Sequence, residues 1–260
     1  RNGSVAAELE ALAREQQLKL DVLELDVRDD ASVDYAVNAA NAASGRLDVV
    51  VNNAGSGQLG ILETFSLEQA RDLFEANVFS VLRVNRAVLP HMRAQGSGLL
   101  IHISSGLARF VLPFNGLYSA TKFALEAIAE TYRYELAATG VDSVIVEPGV
   151  YATRFFEKAS AGRPADFARA KGYKELQRLR QEIDSHRPAA GDPREVADAI
   201  ADLVELPAGS RPLRTTVGWA AQRADGLNAV ADELQRTVLR GMGALGELTL
   251  APGQITTMEE

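Results

Sequence analysis

Of three short runs that read as strands, 47–51 (LDVVV) and 99–103 (LLIHI) are nearly continuous in apolar residues, and 141–147 (VDSVIVE) carries four aliphatic residues beside Asp142, Ser143 and Glu147. A strand that alternates apolar and polar residues can show one face to water. A strand apolar throughout has to be covered on both faces. Between and around these runs lie stretches with helical spacing. One follows Ser4 (VAAELEALAREQ), one is opened by Asp30 or Ser32 and runs through Ala43, and one is capped by Ser66 and runs to about Ala94, with Pro90 near its end. Others cover 118–139, stopped by Gly140, then 167–183, then 193–203 opened by Pro193, then 227–241. Residues 19–27 (KLDVLELDV) alternate and end in Asp-Val, which predicts a further strand, and 211–217 predicts a short last one. The order α, β, α, β, α, β, α, β predicts a parallel sheet with helices on both faces, an α/β fold.

The 260 residues suffice for one such domain with a sizeable core. Acids outnumber bases, with a net charge of −8 and no basic block, which argues against a nucleic-acid partner. There are no cysteines, hence no disulfide framework and no thiolate chemistry. His91, His102 and His186 show no metal-ligand spacing, so no metal site is expected. No apolar run approaches the roughly 20 residues of a membrane span, and the stretch 78–88 is broken by Arg83, Asn85 and Arg86. No signal peptide is visible, so the expected compartment is the cytoplasm.

The chemistry concentrates at residues 104–122 (SSGLARFVLPFNGLYSATK). Tyr118 and Lys122, four apart at the start of a helical pattern, share one helix face. Ser105 stands thirteen residues earlier, at the end of an apolar strand. A strand end facing a helix start can bring a hydroxyl, a phenol and an ammonium to one point. A free phenol has a pKa of about 10, and a nearby ammonium favours its phenolate, so Tyr118 can exchange a proton near neutral pH. Ser105 can hold the reacting oxygen by a hydrogen bond. Ser104 could face the site instead, although the thirteen-residue step favours Ser105.

Other motifs accompany this one. LDVVVNNAG runs a strand into Asn53-Ala54-Gly55, Asn77 lies inside a helical pattern, and SVIVEPGVYAT runs a strand into Pro148-Gly149 with Thr153 four residues on. In this order and spacing the set resembles the short-chain dehydrogenase/reductases, in their compact single-domain branch, over residues 1 to about 218. The resemblance implies a Rossmann-like, doubly wound parallel sheet in one domain spanning 1–260. It implies an NAD(P)-dependent oxidoreductase that moves a hydride between the nicotinamide and a ketone or secondary alcohol. Tyr118 would be the general acid/base, Lys122 would lower its pKa and bind the nicotinamide ribose, Ser105 would orient the substrate oxygen, and Asn77 would hold a relay water. Asp26 and Val27 would contact the adenine, and Asn53, Ala54 and Gly55 the adenosine side. Pro148, Gly149, Tyr151 and Thr153 would close over the nicotinamide; Tyr151 departs from the small aliphatic residue common there, so its bulk would have to point elsewhere.

The resemblance also implies what is not in the sequence. The family's glycine-rich turn follows its first strand, and no such unit occurs here. Matching Asp26-Val27 and NNAG to the family leaves roughly 35 to 45 residues before Arg1, so an N-terminally truncated chain is expected, with two central strands and the turn missing and residues 19–27 without a sheet neighbour. The run 241–246 matches G-x-G-x-x-G but follows a helix, so it is read as part of a C-terminal tail, 242–260. Arg1, at the end of the loop that sets cofactor choice, leans to NADP over NAD. Residues 154–191 interrupt the α/β rhythm and are expected to be a substrate lid. Phe110, Val111, Leu112, Phe114, Phe155 and Phe156 suggest a lipophilic pocket. The apolar surplus of the helices at 66–94 and 118–139 implies a homodimer or homotetramer. An alternative on the same fold is a non-catalytic nucleotide sensor or scaffold. An α/β-hydrolase is disfavoured, because no G-x-S-x-G occurs.

Overall fold

The computed structural model describes residues 3–155, 159, 169, 171–186, 189–244 and 246. At its centre are four parallel strands, β1 (Val49–Asn52), β2 (Gly98–Ile103), β3 (Val141–Pro148) and β4 (Arg214–Val217), in the spatial order β1-β2-β3-β4. The three runs thus become neighbours: Val50 lies opposite Leu100, and Leu100 opposite Ser143. Parallel neighbours need a crossover. Between β1 and β2 run α3 (Leu67–Phe74) and α4 (Ser80–Gln95), and between β2 and β3 runs α5 (Gly116–Glu135). Before β1 lie α1 (Gly3–Glu15) and α2 (Asp30–Ser44). Between β3 and β4 are α6 (Lys174–Ser185) and α7 (Arg194–Glu205), and after β4 come α8 (Trp219–Gln222) and α9 (Asp225–Gly241).

Successive residues of β2 fill opposite layers, as the pleat requires. Leu99 and Ile101 pack with Val144, Val146, Val217 and Leu203, under Val196 and Ile200 of α7. Leu100 meets Val88, Leu89 and Met92 of α4 on the other side. Each such fully buried aliphatic side chain contributes about 1.5–3 kcal/mol. The central strands β2 and β3 are therefore covered on both faces, whereas Val51 of β1 stays 40% exposed.

Helix ends follow local chemistry. Ser66 and Gln69 form a reciprocal capping box at α3. The cap of α2 is Asp29, one residue before the expected Asp30, and its carboxylate accepts from the Ser32 amide at 2.7 Å. Gly96 and Gly140 end their helical segments in left-handed conformation, φ 65° and 75°. The two turns touch: a Cβ on Gly140 would lie 2.0 Å from the Gly96 carbonyl oxygen. The helical stretch at 66–94 is not one regular helix, because a π-helical turn, Glu75–Phe79, joins α3 to α4.

The strand expected at 19–27 is absent: these residues carry no ladder. Leu23, Leu25 and Val27 instead face β1 across a cleft of about 350 Å³, whose walls include Val49, Val50, Val51, Val84 and Val88. A strand exists only through its neighbour's hydrogen bonds, and among the described residues none lies beside this segment. The last strand is also shorter than expected, Arg214–Val217 rather than 211–217. Most of the 242–260 tail lies outside the described residues.

Candidate active site

The first two turns of α5 carry Tyr118 and Lys122 on one buried face, 8% and 7% exposed. They face the end of β2, where the chain leaves Ile103 and makes a short 3-10 turn, Gly106–Ala108. Ser105 caps that turn, its hydroxyl accepting from the Leu107 amide at 3.2 Å, and it lies near enough to the Tyr118 phenol to lower its pKa. The neighbouring Ser104 hydroxyl is buried without a hydrogen-bond partner among the described residues. Ser105 is thus the serine beside the phenol. Lys122 Nζ donates to the Ile103 carbonyl at 2.7 Å and lies 5.8 Å from the centre of the Tyr118 ring.

Burial dominates the electrostatics here. It pushes the Tyr118 phenol up to about 12, against the opposing influence of the Ser105 hydroxyl. It pushes the Lys122 ammonium down to about 8, against the nearby Glu126 carboxylate. The expected lowering of the phenol pKa by Lys122 is not seen in this arrangement. The ammonium is aimed at a backbone carbonyl and is itself poorly solvated, so the apolar surroundings outweigh it. At neutral pH Tyr118 holds its proton and has one to donate.

Asn77 sits in the π turn, 1% exposed. Its amide donates to the Ser56 carbonyl and to Thr121 Oγ1, both at 2.9 Å, and its oxygen accepts from the Ser56 amide at 2.8 Å. The extra residue of a π turn re-aims a side chain, and here it ties the loop after β1 to α5 between Tyr118 and Lys122. With both amide hydrogens engaged, the side chain has none to give a relay water.

That loop holds Asn53, Ala54 and Gly55. A Cβ on Gly55 would lie 3.2 Å from Asn77 Oδ1, tighter than an ordinary contact. Gly55 and Val27 line one cleft of about 300 Å³, together with Ser56, Gln58 and Asp72. Asn53, Ala54 and Val27 also line the larger cleft beside β1. The fold therefore brings these sequence-distant residues together. Asp26 is bound locally: its carboxylate accepts from Arg28 Nη2 at 3.1 Å. The Val27 carbonyl accepts from Arg83 at 2.9 Å.

Pro148 and Gly149 leave β3 on the same side as Ser105, and the Gly149 amide donates to the Val217 carbonyl at 2.8 Å. The Tyr151 ring is buried in the core layer with Leu99 and Val217, against Gly191 and Gly218. Its hydroxyl donates to Glu195 at 3.0 Å. The ring therefore belongs to the layer beneath α7 and not to the group packed around Tyr118. Thr153 Oγ1 accepts from the Phe155 amide at 3.3 Å.

Phe155, expected among the pocket residues, is brought to the site together with Thr121, Ser56 and Arg214, which sequence reasoning missed. The Phe155 ring lies 5.4 Å from that of Tyr118, tilted by 60°, and packs closely on Gly57. Thr121 and Ser56 anchor Asn77. Behind the site, Arg214 in β4 lies 2.8 Å from Glu126, 3.1 Å from Asp232 and 3.6 Å from Glu147, and also pairs with Glu130. Glu147 is fully buried, which raises its carboxyl to about 7, aided by the charge of Glu126. A signal existed for this group: a carboxylate inside an apolar strand demands a buried partner. Phe156 lies outside the described residues.

The chain was compared with known proteins. A family model described as short chain dehydrogenase matches residues 1–164. An uncharacterised oxidoreductase of Schizosaccharomyces pombe is 33% identical over 211 residues, 78% of this chain and 86% of that protein. Human 17-beta-hydroxysteroid dehydrogenase type 1 is 35% identical over 192 residues, 72% of this chain and 58% of that protein. An alcohol dehydrogenase of Thermococcus sibiricus, solved with 5-hydroxy-NADP, superposes with a TM-score of 0.63 at 27% identity, over 80% of this chain and 77% of its own. A match over more than half the chain, on a fold that converges Ser105, Tyr118 and Lys122, makes this protein a member of the short-chain dehydrogenase family.

Proposed function

We propose that the protein reduces a lipophilic ketone, or oxidises the matching secondary alcohol, with NADP as the favoured cofactor over NAD. The observation that carries this reading is the convergence of Ser105, Tyr118 and Lys122 at the end of β2. A nicotinamide dinucleotide fits the residues present at both ends. The cleft between Val27 and Gly55 suits the adenosine, where a side chain at Gly55 would crowd Asn77. Pro148 and Gly149 flank the nicotinamide end. Among the described residues no glycine-rich turn receives the pyrophosphate. When bound, the cofactor supplies or takes the hydride. The protein's own residues do the rest: Ser105 hydrogen-bonds the substrate oxygen, Tyr118 gives it the phenolic proton, and Lys122 holds the ribose and the local positive charge. Asn77 keeps the cofactor loop registered on α5.

The preference for NADP is supported by the NADP analogue in the archaeal relative; Arg1 lies outside the described residues. The lipophilic substrate is supported by exposed Val111 and Leu112, by Phe155 over Tyr118, and by the steroid named for the human relative. We assign residues 154–191 as the lid. In support, Tyr173 hydrogen-bonds Glu63, and Arg180 stacks 5.6 Å from the Phe114 ring. We also assign a two-fold homo-oligomer to α4 and α5, supported by Phe79, at the end of the π turn that leads into α4, and by Phe123 of α5, 47% and 42% exposed. The test is nicotinamide absorbance at 340 nm with steroid ketones, long-chain ketones and small polar ketones. Turnover of the first two with NADPH is expected. Turnover confined to small polar ketones would remove the lipophilic assignment, and no nucleotide binding would remove the whole reading.

A further inference from the structure

Beyond Tyr118, α5 carries Lys122, Glu126 and Glu130, each one turn after the last. Lys122 is 7% exposed and Glu126 3%. A charge buried this far needs a partner. Lys122 Nζ has three hydrogens to donate and makes one hydrogen bond among the described residues, to the Ile103 carbonyl. Glu126 Oε2 lies 2.8 Å from Arg214 Nε, while its Oε1 is buried with no hydrogen-bond partner among the described residues. Helical side chains lean toward the N-terminus, so Glu126 leans toward the turn that bears Lys122.

The charges around this pair come from four further elements. Arg214 of β4 stands between Glu126 and Glu147 of β3, at 2.8 and 3.6 Å. Glu147 lies 4.0 Å from Arg109, which ends the turn that Ser105 caps. With Glu147 ionised, the signs alternate from Lys122 through Glu126, Arg214 and Glu147 to Arg109. From its inward side α9 adds Asn228, which donates to Glu147 at 2.7 Å, and Asp232, 3.1 Å from Arg214. Arg214 also pairs with Glu130. Arg214 therefore keeps two other carboxylates if Glu126 is removed. Lys122 does not: among the described residues, Glu126 is the carboxylate whose field acts on it.

We propose that Glu126 is a positioning residue of the active site: anchored by Arg214, its carboxylate keeps Lys122 in the ammonium form beside Tyr118. Glu126 acts through Lys122 alone. Burial brings Lys122 down to about 8, so losing the counter-charge would leave much of it neutral near pH 7. What Lys122 does for the ribose rests on the functional reading above; the coupling of the two side chains does not.

The test is an NMR titration of lysine Cε from about pH 6 to 10, on the 260-residue chain labelled at its five lysines. The Lys122 signal is the one lost in Lys122→Arg, and circular dichroism checks folding. Glu126→Gln should lower the Lys122 midpoint by about one pH unit or more. Glu126→Met, of similar volume, carries the same expectation and serves if the amide variant does not fold. Glu126→Asp keeps the charge and should restore at least about half of the shift. Glu130→Gln takes a partner from the same Arg214 two turns from Lys122, and should leave the midpoint within about 0.3 unit. In ketone reduction with NADPH, Glu126→Gln should move the alkaline limb of kcat/KM to lower pH by the same amount, with the rate at about pH 6 within about threefold of the parent. A midpoint unmoved by Glu126→Gln and Glu126→Met, or moved equally by Glu130→Gln, would overturn the proposal whatever the turnover. So would a limb that stays in place while the rate falls at every pH, the mark of a merely structural role. A lowered midpoint in a chain that binds no nucleotide would uphold the coupling and remove the functional reading instead.

Discussion

Tyr118 is a protonated acid held beside Ser105 in apolar surroundings. Replacing it with Phe removes one oxygen and leaves the ring's packing against Phe155. Tyr118→Phe should therefore cut turnover at least about 10²-fold with the melting temperature almost unchanged; turnover within a few-fold of the parent would refute its role. Two other residues set how stability depends on pH, with opposite signs. His102 is fully buried in β2, with Nε2 unpartnered among the described residues, and burial pushes it down to about 3. The unfolded chain takes up that proton near 6.5 and the folded one does not, so His102 costs stability as pH falls from 6.5 towards 3. Glu147 is raised to about 7. The folded chain keeps that proton, so its contribution is complete below about 4.5 and is lost as pH rises through 7. Between about 4.5 and 6.5 the two slopes cancel. Glu147→Gln should expose the histidine slope in that window, with stability falling about 1.4 kcal/mol per pH unit towards acid, and His102→Gln should expose the reverse. Urea titrations across pH 4.5 to 7 measure both, and unchanged slopes in either variant would reject the assignment.

The elements that place the site are short and sharply ended. Gly96 and Gly140 let α4 and the helical turn after α5 stop where β2 and β3 begin, which aligns Gly98 with Val141 in the ladder. Gly140→Ala adds a left-handed backbone penalty of about 1–2 kcal/mol, and its methyl would meet the Gly96 carbonyl. A loss of about 3 kcal/mol in urea unfolding is expected. A loss under about 0.5 kcal/mol would show that the two turns separate freely. The π turn was not legible in the sequence, because EANVF has ordinary helical composition. What makes it is tertiary: Asn77 turns toward Ser56 and Thr121, which lie 21 and 44 residues away.

At the scale of the whole molecule, Phe79 and Phe123 stay exposed on the side of the π turn and α5 to which the homo-oligomer is assigned. Phe123→Glu should disrupt the α4–α5 pairing, so light scattering at micromolar concentration should show the particle mass fall. A particle mass unchanged by Phe123→Glu would place the α4–α5 contact elsewhere. The buried Arg214 cluster links several elements. It joins Glu126 and Glu130 of α5, Glu147 of β3 and Asp232 of α9, so the C-terminal helix is fastened to the strand that ends in Pro148-Gly149. Removing one partner of such a group costs more than the pair itself contributes, because the remaining charge stays buried.

The sequence by itself determined that β2 lies between two covering layers and that Tyr118 and Lys122 share one helix face. Continuous apolar runs have only one stable placement, and a Tyr and a Lys four apart on a helix share a face whatever surrounds them. Tertiary structure decided what depends on neighbours distant in the chain. Residues 19–27 alternate like a strand, yet without an adjacent ladder they form none. The choice of Ser105 over Ser104 rests on where the turn at Gly106–Ala108 points. The Tyr–Lys spacing fixes proximity, while burial acts on the Tyr118 phenol and the Ile103 carbonyl on the Lys122 ammonium, which only the tertiary structure decides. The polar inward face of α9 was likewise invisible until Arg214 and Glu147 lay beneath it, since a helix pattern reveals which residues share a side and not which side meets the protein.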